Sequence, residues 1–233
     1  MDNKAFVRLL ENISKMKTYY IKGGFGHVMK ASNKKRLIDQ YAANKAKEAK
    51  INALDPSTFA FDCCGLVKAC IWGFTGDTKK TYGGVVYESN GLKDVNETGL
   101  LKLCTEVSED IGKAKEGYFL WTNKPNGHCG IYIGNGKVIE CTPALKCGVQ
   151  ITDLNRVKWL KCGKLPYIQY EESTQAPTKP KETAQIWYVV RRGDNLSTIA
   201  KKHGLKSYKD LLKLNPGIKN PNLIYVGQHI RIK

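Results

Sequence analysis

No stretch of this chain approaches the roughly 18 consecutive apolar residues of a membrane-spanning helix, so a helical membrane protein is excluded. The N-terminal segment MDNKAFVRLLENISKM is interrupted by charges throughout. It has no apolar run ahead of a small-residue cleavage site, which argues against a secretory signal and for synthesis and folding in the cytoplasm. Acidic residues are scarce: 21 Asp and Glu stand against 38 Lys and Arg, a formal charge of +17. Such a field favours polyanionic partners, whether nucleic acid, a membrane surface or an anionic wall polymer. Zinc-finger, RNA-recognition and KH signatures are absent, and the basic residues are scattered instead of interleaved with aromatics, which disfavours nucleic acid. Only four histidines occur and no CxxC pair; adjacent Cys63 and Cys64 are poor tetrahedral co-ligands. Neither a metal nor another cofactor is therefore expected. Eight cysteines are present, at 63, 64, 70, 104, 129, 141, 147 and 162. Without a secretory signal, and in a segment large enough to own a core, they are read as reduced thiols.

What is there falls into two folded parts. Residues 171–185, EESTQAPTKPKETAQ, have two prolines, no aromatic residue and no hydrophobic period, and read as a polar linker. It separates a domain over 1–170 from a module over 186–233. In the larger part, Phe6, Leu9, Leu10, Ile13 and Met16 repeat at the helical period and predict an amphipathic first helix. A second helix is expected from an Asn33 cap through Leu37, Tyr41 and Ala49. A third, over 63–74, is apolar nearly all round and therefore buried. From Gly117 the pattern changes to short alternating runs at 118–121, 128–133, 137–141 and 148–151, expected to form antiparallel strands. Helices followed by a strand meander give an α+β domain.

Two strings carry chemistry: FDCCGLV at 61–67 and GHCGIYIGNGKVIE at 127–140. A cysteine opening a helix and a histidine opening a strand are the parts of a thiol nucleophile and its base. At a helix start, free N–H groups and the dipole favour a thiolate at Cys63. The competing reading is that Cys63 and Cys64 are small buried hydrophobes. The hairpin after His128 discriminates. A three-residue loop Gly134-Asn135-Gly136 pairs Ile133 with Lys137 and puts His128 and Glu140 on one face, diagonally across Gly130. A two-residue Asn135-Gly136 loop turns Glu140 to the other face.

These strings resemble the NlpC/P60 cysteine peptidases, whose motifs are D-C-S-G-L-V and G-H-V-G-I-Y-[IL]-G. Tyr20-Ile21-Lys22-Gly23-Gly24 is similar to the family's Y-x-x-G-G segment. The resemblance spans about residues 15–165 and implies a papain-like fold of helices packed on an antiparallel sheet. It also implies Cys63 as nucleophile, His128 as general base, Glu140 as orienting residue, and Tyr20 and Asp62 at the substrate site. Three positions depart from the family: Cys64 replaces a serine, Glu140 stands where His, Asn or Gln is common, and an insert of about 35 residues separates Gly26 from Asp62.

Residues 187–232 read strand, helix, helix, strand. The first strand is expected at 188–190, a helix capped by Asp194 or Asn195 carries Leu196, Ile199 and Ala200, a second carries Leu211, Leu212 and Leu214, and a closing strand runs over 224–232. The string resembles a LysM repeat, a βααβ module that binds N-acetylglucosamine-containing glycans. That resemblance implies sugar contacts from Gly193, Asp194, Asn195, Leu196 and Ser197, and from Asn220, Pro221, Asn222, Leu223 and Ile224. Core packing is the equal alternative for Leu196, Leu223 and Ile224. Both resemblances converge on bacterial peptidoglycan, with anionic wall polymers as a further partner. They imply a thiol hydrolase that cuts a stem-peptide amide, D-γ-glutamyl to diamino acid, and is held to the wall by the module. An N-acetylmuramoyl-L-alanine amidase, a non-catalytic wall binder and an acyltransferase are the alternatives. Without a signal, action at the wall after release or lysis points to a phage or prophage endolysin, with a contact-delivered toxin or an exported autolysin as the other origins.

Overall fold

The computed structural model describes residues 1–170, 187–191, 193–205, 207–215, 218, 220–225 and 228–232. The expected linker at 171–185 lies outside them. Two compact units are resolved, Met1–Glu172 and Ser173–Lys233.

In the first unit the order is α1 (Asn3–Ser14), β1 (Thr18–Tyr20), β2 (Phe25–Val28), α2 (Ala31–Gln40), α3 (Ala42–Lys45), α4 (Glu48–Asn52), β3 (Phe59–Phe61), α5 (Cys63–Ile71), α6 (Glu97–Leu103), β4 (Thr105–Ser108), β5 (Phe119–Thr122), β6 (His128–Tyr132), β7 (Lys137–Thr142), β8 (Gly148–Asp153) and β9 (Lys161–Lys164). Asp2 caps α1 by accepting from Ala5 N–H at 2.7 Å, and Phe6, Leu10 and Ile13 are fully buried, as the period predicts. They pack into one core with Phe61 of β3, Leu66 of α5, and Phe119, Ile131 and Ile139 of the large sheet. All nine residues of α5 are buried.

The insert differs from expectation. Asn33 does not cap a helix; it lies inside α2, buried, and its amide donates to the carbonyls of Val28 at 2.8 Å and Thr81 at 3.0 Å. Nor does one helix run to Ala49. The chain leaves α2 at Tyr41 in an extended conformation and resumes as two short helices. The side chain of buried Asn44 explains the break: it donates to Leu37 and Lys22 carbonyls, both at 2.9 Å, and accepts from Lys22 N–H at 3.1 Å. One amide thus satisfies a carbonyl at the end of α2 and ties the insert to the strand-to-strand turn. The third helix is also shorter than expected, ending at Ile71 with Gly73 at φ +86°.

The large sheet has six strands in the order β4-β9-β5-β6-β7-β8, every neighbouring pair antiparallel. The expected meander supplies only β5 to β8. The exposed β4 and lysine-flanked β9 lack an alternating apolar pattern, and β9 returns from the end of the domain to lie between β4 and β5. A smaller sheet, β1-β3-β2, was not legible because its strands are three or four residues long; β1 runs parallel to β3.

The second unit contains β10 (Trp187–Val189), α7 (Leu196–Lys202), α8 (Tyr208–Leu214) and β11 (His229–Arg231), with β10 and β11 antiparallel. This is the expected βααβ order. Asn195 is the α7 cap, in a capping box with Thr198. Val190, Leu196, Ile199, Ala200, Leu211, Ile230 and Ile232 form its core. The closing strand is three residues, not the nine expected over 224–232. Ahead of it, Gln228 N–H donates to Tyr225 C=O at 2.9 Å and the Gln228 side chain accepts from Tyr225 N–H at 3.0 Å.

Candidate active site

The site begins where β3 ends. Asp62 is the N-cap of α5, and both of its carboxylate oxygens are engaged: one accepts from Gly65 N–H at 2.6 Å, the other from Gly23 N–H at 2.8 Å. A Cβ on Gly65 would lie 1.8 Å from Gly24 O, so the glycine of the DCCG string is required for α5 to cross the Gly23-Gly24 turn. Burial pushes the Asp62 carboxyl up to about 6, against the two N–H bonds that hold it down. Asp62 and Tyr20 both line the cleft beside Cys63, and burial raises the Tyr20 phenol.

Cys63 occupies the first helical position, 8% exposed. Its thiol lies well below the usual thiol range. Hydrogen bonds from Cys129 and Cys64 contribute most, burial opposes them, and His128 adds both a hydrogen bond and its charge. His128 is held up to about 9: burial acts against its charge, but Cys63 and Glu140 outweigh it. The two groups thus pull each other in opposite directions, Cys63 toward the thiolate and His128 toward the imidazolium.

The hairpin sets where Glu140 lies relative to His128. Gly134, Asn135 and Gly136 all have positive φ; Ile133 N–H bonds to Lys137 C=O at 3.0 Å, and Ile131 pairs with Ile139. This is the three-residue loop. It brings His128 Nε2 to 2.6 Å from Glu140 Oε2, which leaves Nδ1 for the thiol. Glu140 is fully buried and accepts from Arg156 Nε at 3.0 Å, from a second Arg156 nitrogen and from Thr152 Oγ1. Burial alone would raise its carboxyl; His128, Arg156 and Thr152 together keep it below the ordinary value. Trp159 stacks on the His128 ring at 5.6 Å and 21°. It sits over Gly130, where a Cβ would be 2.7 Å from Val138 and 3.2 Å from Trp159.

Around Cys63 opens a cleft of about 900 Å3. Arg36, Gln40 and Tyr41 at the end of α2 form part of its wall, so the insert borders the cleft. Lys68, Tyr82, Tyr87 and Glu97 line it as well. Sequence reasoning missed Thr152, Arg156, Trp159 and the cleft residues of the insert. Thr152 could have been found by extending the alternation of β8 one residue past 151; Arg156 lies in a 3-10 turn, Leu154–Arg156, and carries no local signal.

In the second unit three of the side chains expected to meet sugar hold the loops themselves. Asp194 accepts from Tyr188 Oη at 2.7 Å and Arg191 N–H at 2.8 Å, Asn195 is the helix cap, and Asn220 accepts from Asn222 N–H at 3.0 Å. Leu196, 2% exposed, is a core residue and offers no face to a ligand; Ile224 is partly buried against the same core. Leu223 is 52% exposed, Gly193, Ser197 and Asn220 are exposed, and Pro221 is half-buried.

All eight cysteines are free thiols. No helix among the described residues is long and apolar enough to cross a membrane.

Among solved structures, the chain is similar to NlpC1 from Trichomonas vaginalis, at 14% identity and a TM-score of 0.41, over 70% of this chain and 44% of that one. It is also similar to the NlpC/p60 domain of the peptidoglycan hydrolase SagA, at 18% identity and a TM-score of 0.38, over 71% of this chain and all of that one. Among curated proteins it is 56% identical over 55 residues to an endolysin of Bacillus phage B103, 24% of this chain and 20% of that protein. It is 51% identical over 53 residues to a chlorophenol reductase of Desulfitobacterium hafniense, 23% of this chain and 16% of that protein. The chain thus spans about a fifth of the length of the curated relatives it matches. Residues 188–233 match the LysM domain family, as the C-terminal string implied.

Proposed function

We propose that the first unit is a cysteine peptidase that cleaves an amide bond of the peptidoglycan stem peptide, and that the second unit holds it to the glycan. The observation that carries this reading is the buried Glu140 carboxylate 2.6 Å from His128 Nε2, with Cys63 at the start of α5 as the thiol that His128 faces. In this mechanism the Cys63 thiolate attacks the carbonyl carbon and free N–H groups at the start of α5 receive the oxyanion. His128 protonates the departing amine, and water, deprotonated by His128, then releases the acyl group from the thioester. Glu140 holds the ring in the tautomer and orientation that the transfer needs. Tyr20 borders the substrate, while Asp62 fixes the backbone on which both Tyr20 and Cys63 depend.

The two motif strings support the NlpC/P60 assignment and, with the LysM match, the choice of peptidoglycan. The bond proposed is D-γ-glutamyl to diamino acid. Mass spectrometry of muropeptides from digested sacculi is expected to reveal a new amino terminus on the diamino acid. A new terminus on L-alanine would instead identify an N-acetylmuramoyl-L-alanine amidase.

For the second unit, exposed Leu223 is the proposed glycan contact together with Gly193, Asp194, Asn195 and Ser197 of one loop and Asn220, Pro221 and Asn222 of the other, and the basic excess adds attraction to anionic wall polymers that salt screens. Removing residues 171–233 is expected to lower recovery with purified cell walls by at least about tenfold, as the tether's effective concentration is lost. Equal recovery would refute the anchoring role. The similarity to phage endolysins supports the same origin and action at the wall during host lysis.

A further inference from the structure

Adjacent cysteines at a helix start are poor metal partners because their side chains leave the axis about 100° apart. Here the fold overrides that objection. Cys63 Sγ and Cys64 Sγ are 3.8 Å apart, Cys129 Sγ on β6 is 3.8 Å from Cys64 Sγ, and all three sulfurs lie within 4.8 Å of one another. A metal with sulfur bonds of about 2.3 Å at tetrahedral angles requires sulfur pairs about 3.8 Å apart. The Glu97 carboxylate stands 3.8 Å from Cys64 Sγ, and Cys63, Cys64 and Glu97 all face the cleft, which supplies a path of entry. Cys129, fully buried, closes the back of the cluster.

We propose that Cys63, Cys64 and Cys129 form a trap for a soft, thiophilic divalent cation such as Zn2+ or Cd2+, with Glu97 or water in the fourth position. The ion is not a cofactor: it occupies the sulfur of the nucleophile. Coordination involves no oxidation or reduction. The Cys63 thiolate binds as it stands, Cys64 and Cys129 each release one proton to solvent, and the cluster becomes a dry tris-thiolate site. Hard cations such as Mg2+ and Ca2+ have no comparable claim on sulfur ligands. Reversible silencing of the thiolate by a soft metal is the consequence.

The test uses the full chain in a phosphine reductant, so that disulfides do not form and no small thiol competes. Addition of Cd2+ is expected to raise the ultraviolet sulfur-to-cadmium charge-transfer band to a plateau at one equivalent, and an excess of a strong chelator such as EDTA is expected to reverse it. Cys64→Ser and Cys129→Ala are each expected to weaken Cd2+ binding at least tenfold. Cys162→Ala, in a separate apolar cluster, is expected to leave it unchanged. Thermal melts establish that each variant is folded, and two independent variants guard against the loss of one. Absence of the band at equimolar Cd2+, or equal affinity in wild type, Cys64→Ser and Cys129→Ala, would overturn the proposal. Because the readout is spectral, it stands or falls separately from the hydrolytic activity.

Discussion

Cys63→Ala is expected to reduce the release of new amino termini from sacculi by at least about 10³-fold, the scale on which removal of a covalent nucleophile acts. Cys64→Ser is expected to retain most of the activity. The two thiols are adjacent and both buried, yet the structure treats them oppositely: Cys63 is held toward the thiolate, while Cys64 lies well above the thiol range, the Cys129 hydrogen bond that would lower it being outweighed by Cys63 and burial. Two charges that close cannot both form, so the pair carries one thiolate, on the residue that His128 faces. The pH dependence follows with a definite sign. The lowered Cys63 thiol keeps its charge as pH falls below the ordinary thiol range, and iodoacetamide labelling is expected to persist there before declining in stronger acid. The raised His128 loses its proton as pH rises through about 9, and hydrolysis is expected to fall on that limb, because the acid that protonates the leaving amine is gone. Labelling should remain high there, since the thiolate persists. An active Cys63→Ala protein, or labelling that first rises near the ordinary thiol value, would remove Cys63 from the mechanism.

Glu140→Gln is expected to lower kcat by roughly 10²–10⁴-fold with a smaller change in KM. Every neighbour of the Glu140 carboxylate is a donor: His128 Nε2, Thr152 Oγ1 and two nitrogens of Arg156. An amide presents one acceptor and one donor, so whichever way it turns, its NH2 faces N–H or O–H groups. The imidazolium also loses the negative charge that stabilises it, and the His128 value is expected to drop, bringing the alkaline limb of the profile to lower pH. Stability should fall by roughly 1.5–3 kcal/mol, the range for a hydrogen bond to a charged group. A larger loss, as for a fully dry ion pair, is not expected because the Arg156 side chain keeps 28% of its exposure. A Glu140→Gln enzyme with unchanged kcat and an unshifted alkaline limb would show that the carboxylate has no part in orienting the base. Arg156→Lys offers a graded control, since it retains the charge and gives up the paired contact with both carboxylate oxygens.

Much of this site was legible before any fold was known, and local geometry is the reason. The length of the Gly134-Asn135-Gly136 loop sets the register of β6 against β7, and register with the two-residue period of a strand places His128 and Glu140 on one face. Cys63 at the opening of an apolar run marks a helix start in the same way, and the structure adds the Asp62 cap and the close approach of Gly65 to Gly24. The amphipathic α1 and the βααβ order of the second unit follow from spacing alone.

Other features depend on partners distant in the chain, and no local pattern encodes them. Asn33 looked like a cap because the residue type favours caps, but burial beside Val28 and Thr81 made it a tie between elements. Asn44 breaks the insert into three helices through bonds to Lys22 and Leu37, and that break sets Arg36, Gln40 and Tyr41 along the cleft. Leu196, within a string that resembles a sugar-binding loop, went to the core because its helical face points there.

The sequence by itself determined the two-part organisation and the nucleophile and base candidates, and it narrowed the placement of His128 and Glu140 to two loop lengths, since each rests on contacts within a few residues or one tight hairpin. Only the tertiary structure decided what surrounds them. The clasp of Thr152 and Arg156 on Glu140, the inserted wall of the cleft and the meeting of three sulfurs each require backbone segments from 12 to 66 residues apart to arrive at one point. Packing of α5 against the large sheet, and not any periodicity in the chain, brings them there.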